Sequence, residues 1–242
     1  AICTGKTYSM TKKLCMELKA AYGVFGNGTQ IINLKTGEEI FRSVITNTQA
    51  QTCVDIADKN NLHLHIYTDN KIISQQSLKF MAYRNYQLYK EDMDFEIVDS
   101  LKEYIKEENP SILKLVISAK KDLIDIKKEI LRKEDLKIIQ IKKYDEYKDT
   151  IINQEYEYLD IVPKNITKDN SLKQLSKYLK INNQDVMAIG DNINDIEMIE
   201  NAGIGVAIGG SYKEVINRAS YVTKNTVKTG GFAEAVYKFI EM

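Results

Sequence analysis

The last third of the chain constrains the fold most. Three short apolar runs, Val186 to Ile189, Val206 to Ile208 and Tyr221 to Thr223, alternate with helical stretches at Ser171 to Lys180, Ile196 to Glu200 and Phe232 to Ile240. Strands buried on both faces read as continuous apolar runs, and parallel neighbours need a crossover rather than a hairpin between them. The pattern predicts an α/β core with a parallel sheet covered by helices on both faces. Gly203 falls where a C-terminal cap for the helix at Ile196 is expected. Ser211-Tyr212-Lys213-Glu214 has the spacing of a capping box, opening a helix to about Ala219.

The opening of the chain has a related style. Ala1 to Gly5 reads as the end of a buried strand running into a turn. Met10, Leu14, Leu18 and Ala21 recur at helical spacing and predict a helix over Tyr8 to Tyr22. Gly23 to Gly28 predicts a short strand and a turn with positive φ. Gln30 to Asn33 and Glu39 to Val44 flank Lys35-Thr36-Gly37 as a hairpin. The middle differs, with a helix expected over Gln49 to Asn60 and another over Asp122 to Arg132. Strands are expected at Leu113 to Ser118 and Leu136 to Ile141. Leu62, Leu64 and Ile66 alternate with His63, His65 and Tyr67, as in a half-buried antiparallel strand. This organisation places an α/β core at 1–46 and 160–242, with a mixed α+β domain inserted at 47–159.

Composition narrows the function classes. At 242 residues and 43% hydrophobic residues the chain can bury a genuine core, which excludes disorder. Lys plus Arg, at 34, equals Asp plus Glu, so the basic excess of a nucleic-acid binder is missing. The three cysteines, Cys3, Cys15 and Cys53, form no close pair and suggest neither a disulfide framework nor a zinc site. No apolar run nears the length of a membrane span. The expectation is a reduced, cytoplasmic protein with no membrane and no nucleic-acid partner, its oligomeric state open. Without an initiating Met or a signal peptide, the start is expected to have been removed or the chain to be a fragment.

Chemistry concentrates in three places. Gly190-Asp191-Asn192-Ile193-Asn194-Asp195 follows an apolar strand and opens a helix, so it sits at the carboxyl edge of the sheet. Asp191, Asn194 and Asp195 present hard oxygen donors there, which suits Mg²⁺ with water and substrate phosphate completing its shell. Helix capping alone would account for one such residue, not for two acids at this spacing. Lys168, just ahead of the helix near Ser171, can meet a phosphate or pair with a carboxylate such as Asp191 or Asp195. Thr4-Gly5-Lys6, at a strand end, offers a hydroxyl and backbone N–H groups to an anion. Other features read as structural: His63 and His65 as paired solvent-facing histidines, Tyr83, Tyr86 and Tyr89 as a packing face, Lys127-Lys128 and Lys142-Lys143 as solvated charges. Cys3 reads as a buried strand residue, and Asn27 as a marginal candidate for lining the pocket.

Together and in this order, the three sites resemble the haloacid dehalogenase-like phosphatases, in particular the Cof-type subfamily. Ala1 to Lys6 is similar to that family's strand ending in Thr-Gly-Arg, and Asn27-Gly28 to its Asn-Gly turn. Pro163 to Lys168 is similar to its Pro-Lys-Gly-Val-Ser-Lys segment, and Gly190 to Asp195 to its Gly-Asp-x-x-Asn-Asp. Met198 to Gly209 is similar to the Ala-Gly-x-Gly-Val-Ala-Met-Gly stretch, and Tyr221 and Gly230 lie in matching endings. The resemblance implies a Rossmann-like parallel core lacking its N-terminal strand, with the insert as a cap that selects substrate. It implies Asp191 as the Mg²⁺ ligand, Asn194 on the substrate phosphate, and Asp195 orienting Lys168 or a water. It also implies Lys168 as the cation that neutralises phosphoryl oxygens, with Thr4 and the Gly5 N–H on the transferring phosphoryl group. The substrate class implied is a small phosphorylated metabolite: a sugar phosphate, a nucleotide or a cofactor phosphate.

The family's Asp-x-Asp-Gly-Thr motif, which supplies the nucleophile of an aspartyl-phosphate mechanism and a general acid–base, is found nowhere in this sequence. Asp92-Met93-Asp94 and Tyr67-Thr68-Asp69-Asn70 come nearest but lack the Gly-Thr turn. Lys6 stands where Arg is usual and Gly210 where Asn is frequent. Three readings follow: a Mg²⁺-dependent phosphatase seen without its nucleophile strand, inactive and unstable as this chain alone; a catalytically silent phosphate- or Mg²⁺-binding module; or a nucleotide-binding α/β protein. The last needs a Gly-rich loop after a strand, whereas Gly203-Ile204-Gly205 leads into one.

Overall fold

The computed structural model describes residues 1–75, 94–119, 122–141 and 157–240. Tyr83, Tyr86, Tyr89, Asp92, Met93, Lys142 and Lys143 lie outside the described residues. The chain divides into two compact units, Ala1–Ile166 and Thr167–Met242. Among the described residues, no helix is long and apolar enough to cross a membrane.

Among the described residues, the first unit carries two sheets. The smaller runs in the order β1 (Ile2–Cys3), β2 (Tyr22–Phe25), β3 (Gln30–Asn33), β4 (Glu39–Arg42), with β1 and β2 parallel and the rest antiparallel. The turn after β2 has the left-handed backbone expected, φ being 60° at Gly26 and 61° at Asn27. The helix predicted over 8–22 shrinks to α1 (Lys12–Glu17). Leu14 and Leu18 are exposed while Cys15 is buried. The chain breaks helical geometry at Lys19, where φ is 51°, because Gly23 and Val24 must pair with β1. Sheet pairing overrides the apolar spacing there. Cys3, expected to be buried, is only half-buried.

The larger sheet has the order β7 (Asp94–Ile97), β6 (Lys71–Ser74), β5 (His63–Tyr67), β8 (Lys114–Ala119), β10 (Glu157–Pro163), β9 (Leu136–Ile141). Among the described residues, α2 (Asn47–Lys59), α3 (Leu101–Glu108) and α4 (Ile124–Lys133) share a core with it. α2 starts on a capping box in which the Gln49 N–H donates to Thr46 Oγ1 and the Thr46 N–H to Gln49 Oε1. Ile56 of α2, Ile105 of α3 and Ile130 of α4 meet Leu64, Ile66, Leu115 and Ile117 of the sheet. Each such fully buried side chain contributes about 1.5–3 kcal/mol of transfer free energy.

β5 departs from expectation. It is antiparallel to both neighbours as predicted, yet all five of its residues are buried. His63 and His65, expected to face solvent, are covered on the sheet's second face. That face also holds a cluster of Met10, Tyr67, Ile72 and Val116. His65 Nε2 lies 3.2 Å from the Tyr67 hydroxyl. Burial, then the neighbouring His63 and Lys114, hold the His65 imidazole well below its ordinary range.

The second unit is a three-stranded parallel sheet, β11 (Met187–Gly190), β12 (Ile204–Gly209), β13 (Tyr221–Thr226). Its helices are α5 (Lys168–Leu179), α6 (Ile196–Asn201), α7 (Lys213–Ile216) and α8 (Gly231–Phe239). Ile199, Ala207 and Val215 form its buried apolar cluster. Two local expectations fail. Gly203 is not a left-handed cap; it is small because a Cβ there would stand 1.9 Å from the Gln184 carbonyl oxygen. Ser211 makes no capping box, since its hydroxyl donates back to the Ile208 carbonyl and the short α7 starts after Tyr212.

Glu234 ties α8 to β13. Its carboxylate accepts the backbone N–H groups of Lys224 and Asn225 and the Tyr221 hydroxyl. Those donors, the two backbone N–H groups foremost, pull its pKa from 4.5 to about 2. A carboxyl depressed on folding contributes stability that is present above its unfolded pKa and lost as pH falls through the folded value. Urea midpoints of wild type should therefore exceed those of Glu234→Gln at pH 7, the gap narrowing from about pH 4.5 down to 2.

Candidate active site

β11 ends at Gly190, paired with Ala207, so the loop that follows leaves from the carboxyl edge of the parallel sheet. A single turn at Ile193–Asp195 passes the chain into α6. Asn192 is the capping residue, its Oδ1 accepting the Ile193 N–H at 2.7 Å. Asp195 completes the capping box with it and also holds Lys168. Its Oδ2 accepts the N–H groups of Asp191 at 3.2 Å and Asn192 at 3.1 Å, and its Oδ1 accepts Lys168 Nζ at 2.5 Å. Both side chains are almost wholly buried, 8% exposed for Lys168 and 5% for Asp195.

Lys168 is the first residue of α5, not a residue ahead of it, and Thr167 caps the helix by accepting the Asn170 N–H at 2.9 Å. A cation in a first turn opposes the helix dipole, and a buried one needs a partner. Asp195 is that partner, one of the two carboxylates expected for it.

Asp191 completes the cluster. Burial, and next the charge of Asp195, raise its carboxyl above the ordinary 3.8, against the opposing pull of Lys168. Two carboxylates facing one ammonium leave a partly desolvated negative charge in excess. That imbalance fits a hard divalent cation. Among the described residues, no group of three or more His, Cys, Asp or Glu is arranged to hold a metal. Asp191 and Asn194 offer hard oxygen donors, the type that Mg²⁺ takes together with water and phosphate oxygens.

Glycine at 190 is required by this packing. A Cβ there would stand 2.5 Å from Asp195 Cβ and 2.7 Å from its Cγ. Gly190→Ala should push Asp195 off Lys168. We expect a loss of about 1–3 kcal/mol in chemical denaturation, the usual cost of overpacking.

The structure thus brings Lys168, Asp191, Asn194 and Asp195 together within the second unit, Asn194 lying in the turn itself. Thr4 and Gly5 belong to the first unit. Their loop is tightly framed: the Thr4 N–H donates to Val24, the Asn27 N–H to the Thr4 carbonyl and the Gly26 N–H to the Lys6 carbonyl. The Lys6 N–H donates to Thr4 Oγ1 at 3.2 Å, which leaves that hydroxyl proton available to an incoming acceptor. The Gly5 N–H has no acceptor among the described residues. Asn27, taken as marginal, is buried and donates to Asp160 Oδ2 at 3.2 Å. Sequence reasoning missed Asp160 and Lys114 altogether, although each interrupts an apolar strand, and a charge in such a run is a signal.

A family model described as haloacid dehalogenase-like hydrolase matches residues 1–236. The chain belongs to that family. A Streptococcus pyogenes serotype M6 protein is 26% identical over 241 residues, covering 96% of this chain and 80% of its own length. The 5-amino-6-(5-phospho-D-ribitylamino)uracil phosphatase YcsE of Bacillus subtilis is 24% identical, over 95% of this chain and 77% of its own. The crystal structure of a haloacid dehalogenase-like hydrolase from Bacteroides thetaiotaomicron superposes with a TM-score of 0.80 at 26% identity, covering 98% of this chain and 84% of that one. The fold is therefore the α/β, Rossmann-like one expected, with its parallel strands and mixed α+β additions.

Proposed function

We propose that the protein is a Mg²⁺-dependent phosphatase of small phosphorylated metabolites, with the α/β core at 1–46 and 160–242 and a substrate-selecting cap at 47–159. The observation that carries the reading is the buried Lys168–Asp195 ion pair beside the electrostatically burdened Asp191. In this family setting, phosphoryl transfer is catalysed mainly by positioning and charge neutralisation. Asp191 would hold the Mg²⁺, which when bound supplies further neutralisation of phosphoryl oxygens. Lys168, fixed by Asp195, neutralises phosphoryl charge, and Asn194 hydrogen-bonds the phosphate. The Thr4 hydroxyl and the Gly5 N–H donate to phosphoryl oxygens. The sequence carries no Asp-x-Asp-Gly-Thr, so no residue here is assigned the nucleophilic step. Burial pushes the Cys53 thiol up to about 12 and raises Cys15 as well, so neither of these two stands in. Three free cysteines suit a cytoplasmic setting.

A second reading is a silent module that binds Mg²⁺ and phosphate without turnover. The test is phosphate release from sugar phosphates, nucleotides and cofactor phosphates by the protein expressed from its whole gene, with Mg²⁺ and with chelator. Release that chelator stops supports the phosphatase. Thermal stabilisation by Mg²⁺ and inorganic phosphate without any release supports the silent module, and neither effect would remove both.

A further inference from the structure

We infer that Lys114 is a positioning residue for the Thr4-Gly5 loop, acting with Asp160 and Asn27; the inference rests on the phosphatase reading. Lys114 Nζ donates to the Gly5 carbonyl at 3.1 Å and to Asp160 Oδ2 at 2.9 Å, and lies 4.6 Å from the centre of the Tyr67 ring. Asn27 donates to that same Asp160 oxygen, and its own side chain closes on the loop: a Cβ on Gly5 would stand 2.8 Å from Asn27 Oδ1. Lys114, Asp160 and Asn27 are 6%, 3% and 2% exposed.

Register explains how the pair forms. Asp160 lies opposite Val116 across β8 and β10, so Lys114 is its diagonal neighbour on the same sheet face. Lys114 lies opposite Tyr67 across β5 and β8. A lysine confined in a sheet by an aromatic face and a carboxylate has little freedom left, and its ammonium is shared between that carboxylate and one loop carbonyl. That carbonyl belongs to the Gly5–Lys6 peptide, whose N–H donates to Thr4 Oγ1. Fixing this peptide fixes the hydroxyl proposed to meet the phosphoryl group, and the Gly5 N–H beside it. Misplacement of such donors by about 1 Å costs on the order of 100-fold in rate.

The experiment compares Lys114→Met with Lys114→Met/Asp160→Asn in the protein expressed from its whole gene. A buried ion pair replaced at both ends by neutral groups is often tolerated, and Asn at 160 keeps an acceptor for Asn27, so the double variant guards against simple unfolding. We expect it to melt near wild type and to keep the wild-type Mg²⁺ concentration dependence. Its kcat should fall about 10- to 100-fold, with KM nearly unchanged. Wild-type kcat in a folded double variant overturns the inference. A second measurement does not depend on turnover. Exchange of the Lys6 amide proton, followed by NMR, should speed up at least about tenfold in the double variant while that of Ile31 stays as it was. Unchanged Lys6 exchange overturns positioning even if the protein proves to release no phosphate, whereas faster exchange without any release in wild type sinks only the phosphatase reading.

Discussion

Asp191→Asn is expected to cut Mg²⁺-dependent phosphate release by about 1,000-fold or more while making the metal-free protein more stable. The rate loss follows from removing the proposed ligand of an ion whose charge stabilisation is worth several kcal/mol, each 1.36 kcal/mol being tenfold. The stability gain follows from the raised carboxyl. Its folded pKa lies above the ordinary 3.8, so stability falls as pH rises from there through the folded value, and at pH 7 the anion burdens the fold. Asparagine removes that burden. The melting temperature of Asp191→Asn without metal should therefore exceed wild type at pH 7, and the difference should vanish near pH 3. Mg²⁺ should reverse the ranking. At 100 times its dissociation constant a ligand stabilises by about 2.7 kcal/mol, which wild type gains and the variant does not. A variant that keeps the Mg²⁺-induced shift would remove Asp191 as the ligand.

Lys168→Met should cost about 3–5 kcal/mol of folding stability, because it strands the Asp195 carboxylate in a buried site with only two backbone N–H donors. At about 2–4 °C per kcal/mol for a chain of this size, the melting temperature falls by on the order of 10 °C. Solvent screening does not soften this, since both partners are at most 8% exposed. Adding Asp195→Asn should restore most of the stability by removing the stranded charge. Phosphate release should stay lost in both variants, because the cation proposed to neutralise phosphoryl charge is gone in each. Urea denaturation at pH 7 beside a phosphate-release assay reads both quantities. Recovery of activity along with stability would mean that Lys168 serves the fold and not the chemistry.

The sequence set the parallel strands of the second unit, since Val206 to Ile208 and its neighbours are apolar runs too short to be anything else between helices. It also set the place of Gly190 to Asp195 at the carboxyl edge, because a strand followed at once by a helix leaves its loop nowhere else to go. Local chemistry was enough for both. It was not enough for α1, where apolar spacing predicted fifteen helical residues, Tyr8 to Tyr22, and pairing of β2 with β1 left six. Nor could it reveal that His63 and His65 are buried: alternation shows that a strand has two faces, but not that both are covered. Lys168, Asp191 and Asp195 were legible as residue types, while the ion pair and the uncompensated charge beside it needed the fold, which brings position 168 to position 195. The same holds for Lys114, Asp160 and Gly5, separated by 109 and 46 positions along the chain. Pattern in a sequence records what neighbours within a turn or a strand must do. Which distant charges share one buried volume is decided by packing, and so only by the tertiary structure.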